Sequence, residues 1–109
     1  MTVEQLTNLC NLKVFALPSP DREIGGAYIG DLLSWVMGRA TEDDAWITIM
    51  SNSNIIAVAT LADVACIILA EGVSPDEGVI NTALAKGVNL LSSTESAYEI
   101  AKKLSSLGV

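Results

Sequence analysis

Histidine is missing from this chain of 109 residues. Without imidazole there is no Ser-His or Cys-His nucleophile, no histidine proton shuttle near neutral pH and no His-containing metal site. Cations are scarce as well: six Lys and Arg stand against 13 Asp and Glu, a formal net charge of −7. Lys13, Arg22, Arg39, Lys86, Lys102 and Lys103 form no long run, and only the last two are adjacent. Binding to a phosphate backbone displaces condensed counterions with protein cations, so nucleic acid and anionic membrane are poor partners for this composition. The two cysteines, Cys10 and Cys66, are too few and too far apart for a disulfide framework or a C-x-x-C pair. Cys66 lies in the apolar run Val64–Leu69 and reads as a small buried hydrophobe, which fits a reducing cytoplasm.

Other absences narrow the chemistry further. The opening Met1-Thr-Val-Glu-Gln-Leu6 has neither the basic nor the apolar region of a signal peptide. The longest apolar stretch, Ile55–Ala70, is interrupted by Thr60 and Asp63 and falls short of the ~20 residues of a membrane span. No G-x-x-x-x-G-K-[ST] phosphate loop occurs. Gly25-Gly26-Ala-Tyr-Ile-Gly30 has the wrong spacing for a dinucleotide loop and reads as glycines that relieve a tight turn. Glu42, Asp43 and Asp44 lack the spacing of a calcium loop and read as a solvated turn. Neither a metal nor a cofactor is expected.

What is present is a hydrophobic, regularly punctuated chain. Half of the residues are hydrophobic and 17% are charged, which excludes a disordered polymer and gives one domain with apolar surplus for self-association. Thr2-Val-Glu-Gln5 is a capping-box pattern, so residues 3–10 read as an amphipathic helix with Leu6, Leu9 and Cys10 on one face. Residues 12–17 read as a strand stopped by Pro18-Ser-Pro20, and 21–30 as a loop with a short strand at 27–29. Asp31 is placed to cap a helix over 32–39 that turns Leu32, Leu33, Val36 and Met37 inward. Trp35 falls off that row and is expected at the surface, as a contact anchor or as a cover for the core edge. A strand at 46–50, the polar hinge Ser51-Asn-Ser-Asn54, a helix at 55–62, a turn at Asp63 and a fully apolar strand at 64–70 follow. Ser74-Pro-Asp-Glu77 predicts a helix running to Lys86, with Gly87 ending it. A strand at 88–91 and a helix at 95–107, capped by Ser92-Ser-Thr-Glu95, complete the chain. Strands separated by helices of this length predict a three-layer α/β/α fold with a mainly parallel sheet.

These segments, in this order, resemble a known family. Asp21-Arg22-Glu-Ile-Gly25-Gly26, Gly30-Asp31-Leu-Leu-Ser-Trp-Val-Met-Gly38, Trp46-Ile-Thr-Ile-Met50 with Asn54-Ile-Ile-Ala-Val-Ala59, and Ile67-Ile-Leu-Ala-Glu-Gly72 are similar to the DRTGG domain. The eponymous motif is altered, because Glu23-Ile24 replaces its single threonine, adding a residue and removing a hydroxyl. The resemblance implies a fold like the N-terminal domain of HPr kinase/phosphorylase and a role without catalysis of its own. Such domains occur as accessory regions of phosphate acetyltransferases, and beside CBS domains in regulated pyrophosphatases, where they help dimerisation.

Two loops carry the residues that could meet a small anionic ligand such as a nucleotide. One is Asp21–Gly26, with Asp21, Arg22, Gly25 and Gly26, where Arg22 is the cation able to meet a phosphate or carboxylate. The other holds Ser51, Asn52 and Asn54 ahead of a helix N-terminus. The expectation is that the loops converge on one ligand; the plainer alternative is that Ser51 and Asn54 only cap a helix while Arg22 pairs with Asp21 or Glu23. Three functions compete: a dimeric sensing module that signals to a partner protein encoded nearby, a ligand-free dimerising subunit, and an enzyme built on carboxylates alone, such as Asp63 with Glu71. The absence of histidine and of metal-ligand clusters weighs against the third.

Overall fold

The computed structural model covers residues 1–109. Its elements run α1(Val3–Leu9), β1(Lys13–Ala16), β2(Gly26–Ile29), α2(Leu33–Arg39), β3(Asp44–Thr48), α3(Asn54–Ala62), β4(Cys66–Leu69), α4(Val79–Lys86), β5(Leu90–Ser92) and α5(Ala97–Ser106). The five strands form one sheet in the order β1-β5-β4-β3-β2, with β2 to β5 parallel and β1 antiparallel at one edge. The chain steps from β2 to β5 in one direction, so the three crossover helices α2, α3 and α4 cover one face. Val36, Ile55, Ile56, Val79 and Ala83 pack there on Trp46, Ile67, Leu69 and Leu90. The alternate strand residues Ala45, Ile47, Cys66, Ile68 and Leu91 turn to the other face, under α1 and α5, where Val3, Leu6, Ile100 and Leu104 meet them. This is the expected three-layer α/β/α fold, and β3, β4 and β5 are buried along their whole lengths because helices cover both sides.

Local signals explain most element ends. Thr2 and Gln5 close both halves of the capping box ahead of α1. Asp63 ends α3 in the left-handed region at φ 56, and Gly87 ends α4 at φ 74. Trp46 is fully buried and satisfies its indole N–H on the Gly30 carbonyl at 2.9 Å.

Several boundaries differ from the sequence expectation for physical reasons. Asp31 does not cap α2; it accepts from the Thr48 hydroxyl at 2.8 Å and the Ile49 amide at 3.0 Å, fastening β2's exit to β3's. Leu32 and Met37 are exposed, and only Val36 of that row is fully buried. The strand expected at 46–50 begins at Asp44, which is buried because its carboxylate accepts from the Thr41 amide and hydroxyl. Glu42, Asp43 and Asp44 are therefore not a freely solvated turn. Ser74 does not start α4: the Asp76 amide donates to the Ser51 carbonyl at 3.0 Å, and Gly78 at φ 88 delays the helix until Val79. Ser92–Glu95 do not cap α5 either, since Ser96 does, accepting from the Glu99 amide at 3.2 Å. Within α3, Ile55, Ile56, Val58 and Ala59 are core, while Ala57 and Leu61 face outward.

Candidate functional site

The motif loop sits where the parallel strands begin. Val3 N–H donates to the Arg22 carbonyl and Ile24 N–H to the Met1 carbonyl, both at 2.9 Å, stitching the loop to the start of α1. Gly25 N–H then donates to the Asp43 carbonyl at 2.9 Å, and Gly26 pairs with Asp44 as β2 begins. Arg22 reaches across both turns that feed the next strands. Its Nε donates to Asp43 Oδ1 at 2.9 Å, and one Nη group meets Asp63 Oδ1 at 3.0 Å and the Asp63 carbonyl at 2.6 Å. Asp43 and Asp63 both stand in the left-handed region, at φ 70 and 56. Partial burial pulls the Arg22 guanidinium down, but its hydrogen bonds to Asp43 and Asp63 outweigh it and leave the pKa raised. A side chain on Gly26 would place a Cβ 2.9 Å from Asp44 Oδ1. Arg22 and the Gly-Gly part of the motif thus form a clasp in which Asp21 makes no bond, and Arg22 pairs with Asp43 and Asp63 rather than with Asp21 or Glu23.

The second loop lies at the opposite end of the sheet. Ser51, Asn52 and Asn54 follow the carboxyl end of β3, whereas Arg22 lies beside its amino end. Five strand residues intervene, about 16 Å at ~3.3 Å each. The two loops therefore do not converge on one ligand. Ser51 donates its hydroxyl to Asp76 at 3.3 Å, and Asn52 Oδ1 accepts from the Asn54 amide at 2.9 Å, so neither Ser51 nor Asn54 caps α3.

A different crevice opens at the carboxyl ends of β4 and β5. The chain leaving β4 goes to α4 on one face, and the chain leaving β5 goes to α5 on the other. The loops are fastened at their base: Glu71 N–H donates to the Glu95 carbonyl at 2.8 Å, and Gly72 N–H to the Ser93 carbonyl at 2.9 Å. Above that base they part and leave a cleft of about 350 Å³. Divergence of neighbouring crossovers to opposite faces is the geometry that makes ligand crevices in open parallel sheets. Ser74, Ser92, Ser93 and Thr94 supply hydroxyls, and Lys13 and Lys103 supply charge from β1 and α5.

A bulge in β1 shapes the rim. Lys13 pairs with Ser92 and Val14 with Leu91, but Ala16 pairs with Leu90, so Phe15 is the extra residue. The Lys13 ammonium lies 4.9 Å from the centre of the Phe15 ring. Lys103 is held by Glu95, and that hydrogen bond raises its pKa. Cys10 is buried at the cleft's margin, where desolvation pushes its thiol up and makes it a poor nucleophile. Sequence reasoning missed this crevice because its parts come from residues 10–15, 72–74, 92–95 and 103. The available signal is Ser92-Ser-Thr94, a donor-rich run directly after a strand, which in sequence reads as helix capping.

An open, mainly parallel sheet covered on both faces, with its crevice at strand carboxyl ends, places the chain among open-sheet α/β/α domains. The DRTGG domain family matches residues 20–107, and the chain belongs to that family. Among solved structures, it is similar to the CBS and DRTGG domains of the regulatory region of Clostridium perfringens pyrophosphatase, complexed with the activator diadenosine tetraphosphate. The TM-score is 0.71 at 12% identity, over 94% of this chain and 45% of that one, so the chain spans less than half the length of that regulatory-region chain. Comparison with curated proteins finds no match. No helix is long and apolar enough to cross a membrane.

Proposed function

We propose that the chain is a non-catalytic regulatory module that senses a small molecule in the β4/β5 crevice and passes its occupancy to a protein partner. The crevice carries this reading: it is polar and of small-molecule size, its one carboxylate, Glu95, is paired with Lys103, its thiol, Cys10, is not activated, and it holds no metal-ligand set. Family membership supports a regulatory role, and the similar fold occurs within the regulatory region of a pyrophosphatase. Transmission has a route, because the loop after β4 bonds to Ser51 through Asp76, and the loop after β5 leads straight into α5. The candidate loop Ser51–Asn54 is in this reading a relay at the ligand-bearing end, and Asp21–Gly26 is the clasp at the other.

Thermal unfolding of the purified chain against a panel of nucleotides and phosphorylated metabolites tests the proposal. At least one compound raises Tm, and Ser74→Trp, which fills the crevice mouth, removes the rise while Arg22→Ala keeps it. A rise lost in Arg22→Ala and retained in Ser74→Trp would refute the assignment.

The alternative is a ligand-free dimerising subunit, and exposed apolar residues favour self-association. Ile29 lies on the sheet edge β2, while Leu32, Trp35 and Met37 lie in and beside α2; all four are about half exposed. Trp35 stands at the surface with the Arg39 guanidinium stacked 3.7 Å from its ring centre. A homodimer through this side keeps the crevice free, so both readings accept it. Mass measurement in solution at micromolar protein gives a dimer, and Trp35→Glu gives a monomer.

A further inference from the structure

We infer that the crevice takes a phosphate-bearing anion, held by Lys13, Lys103, Ser92 and Thr94. The inference rests on the sensing reading above and specifies its ligand. Ser92 is only 6% exposed, lines the crevice, and its hydroxyl makes no hydrogen bond within the chain. No side-chain oxygen of the chain is sealed from solvent without a partner, so this hydroxyl opens into the crevice, where it is available to a ligand. The side chains of Ser74 and Thr94 are likewise unpaired, and so are their backbone amides. The crevice therefore presents an excess of donors, and a ligand that satisfies them must be rich in acceptors.

Charge selects the kind of acceptor. Arg22 is engaged by Asp43 and Asp63, and Arg39 stacks on Trp35, so neither is free for a ligand. Lys13 forms no ion pair and reaches the crevice from the bulged edge strand. Lys103 enters from the opposite face, tied to Glu95, with Glu99 close enough to be felt. Two ammonium groups converge in a chain of net charge −7, whose long-range field repels anions and so leaves their capture to this local pair. A phosphate offers several charged oxygens, enough to draw Lys103 from Glu95 while accepting from Lys13, Ser92 and Thr94 together. Exchange of Glu95 for ligand at Lys103 would loosen the loop that leads into α5.

Calorimetric titration of the intact chain with inorganic pyrophosphate, ATP and adenosine tests the inference. Pyrophosphate and ATP bind and adenosine does not. Lys13→Ala weakens both by about tenfold or more, as loss of a charge-assisted bond would, and Lys86→Ala, outside the crevice, leaves them unchanged. Binding of pyrophosphate alone would assign the site to the free anion; binding of ATP with pyrophosphate in competition would assign it to a nucleotide's phosphates. Adenosine binding as tightly as ATP would overturn the anion while leaving the sensing crevice in place. Absence of heat with all three probes, or binding indifferent to Lys13→Ala, would overturn the inference outright.

Discussion

Single side chains at the strand amino ends do more for this fold than their sequence context suggests. Asn89 is 1% exposed; its Nδ2 donates to the carbonyls of Ser19 at 2.8 Å and Ala65 at 3.0 Å, while its Oδ1 accepts from the Ser19 amide at 2.9 Å. One amide thus ties the Pro18–Pro20 loop to the entries of β4 and β5. Asn89→Ala leaves those groups unpaired and is expected to cost about 2–3 kcal/mol in denaturant unfolding. Arg22→Ala is expected to cost less, about 1 kcal/mol, because its partners Asp43 and Asp63 are 42% and 59% exposed and solvent screens them. Arg22→Lys recovers little of that, since an ammonium cannot reproduce the fork that spans two turns. The sequence marks Arg22 as special but cannot show what it contacts, because Asp43 and Asp63 become its neighbours only when the sheet forms.

At the level of elements, the backbone signals at helix ends divide into those that work locally and those overruled by tertiary contacts. The capping box at Thr2 and the stop at Gly87 need only neighbours within one turn, and both are legible before folding. The β-rich run from Trp46 likewise announces a strand, and the apolar run around Cys66–Leu69 a strand covered on both faces. The helix start at Ser74 fails for a distant reason, the hold of Ser51 on Asp76, and the Ser92–Glu95 loop escapes capping because Ser96 serves α5. Two glycines make the distinction measurable. Gly87 stands at φ 74, so Gly87→Ala is expected to destabilise by about 1 kcal/mol. Gly38 lies inside α2 with open space where a Cβ would go, so Gly38→Ala is expected to stabilise by about 0.5–1 kcal/mol. Urea midpoints of the two variants should move in opposite directions.

For the whole molecule, the sheet separates an end whose polar side chains are paired from an end that opens into the crevice. The amino ends of the parallel strands carry Arg22, Asp43, Asp63 and Asn89, all engaged; the carboxyl ends carry the crevice with its unpaired donors. Between them lies a core that resists ionisation. Burial pushes the fully enclosed Cys66 thiol up to about 12 from an ordinary 9.0. Above about pH 9 the unfolded chain releases this proton while the folded chain retains it, so stability falls between about pH 9 and 12, by at most ~1.4 kcal/mol per pH unit. Below that window the thiol is neutral in both states and contributes no pH dependence. Cys66→Ala should flatten this alkaline slope in pH-dependent unfolding, where Cys10→Ala flattens it less.

The separation of ends can be read in a single titration. Amide chemical-shift mapping by NMR, with the intact chain titrated by ATP and by pyrophosphate, reads the two ends simultaneously. Shifts are expected at Gly72–Ser74 and Ser92–Ser96, fading through Ser51, with Arg22, Gly25 and Gly26 silent. Shifts centred on Arg22, Gly25, Asp43 and Asp63, with Ser92–Ser96 unmoved, would contradict this and return the ligand to the motif loop.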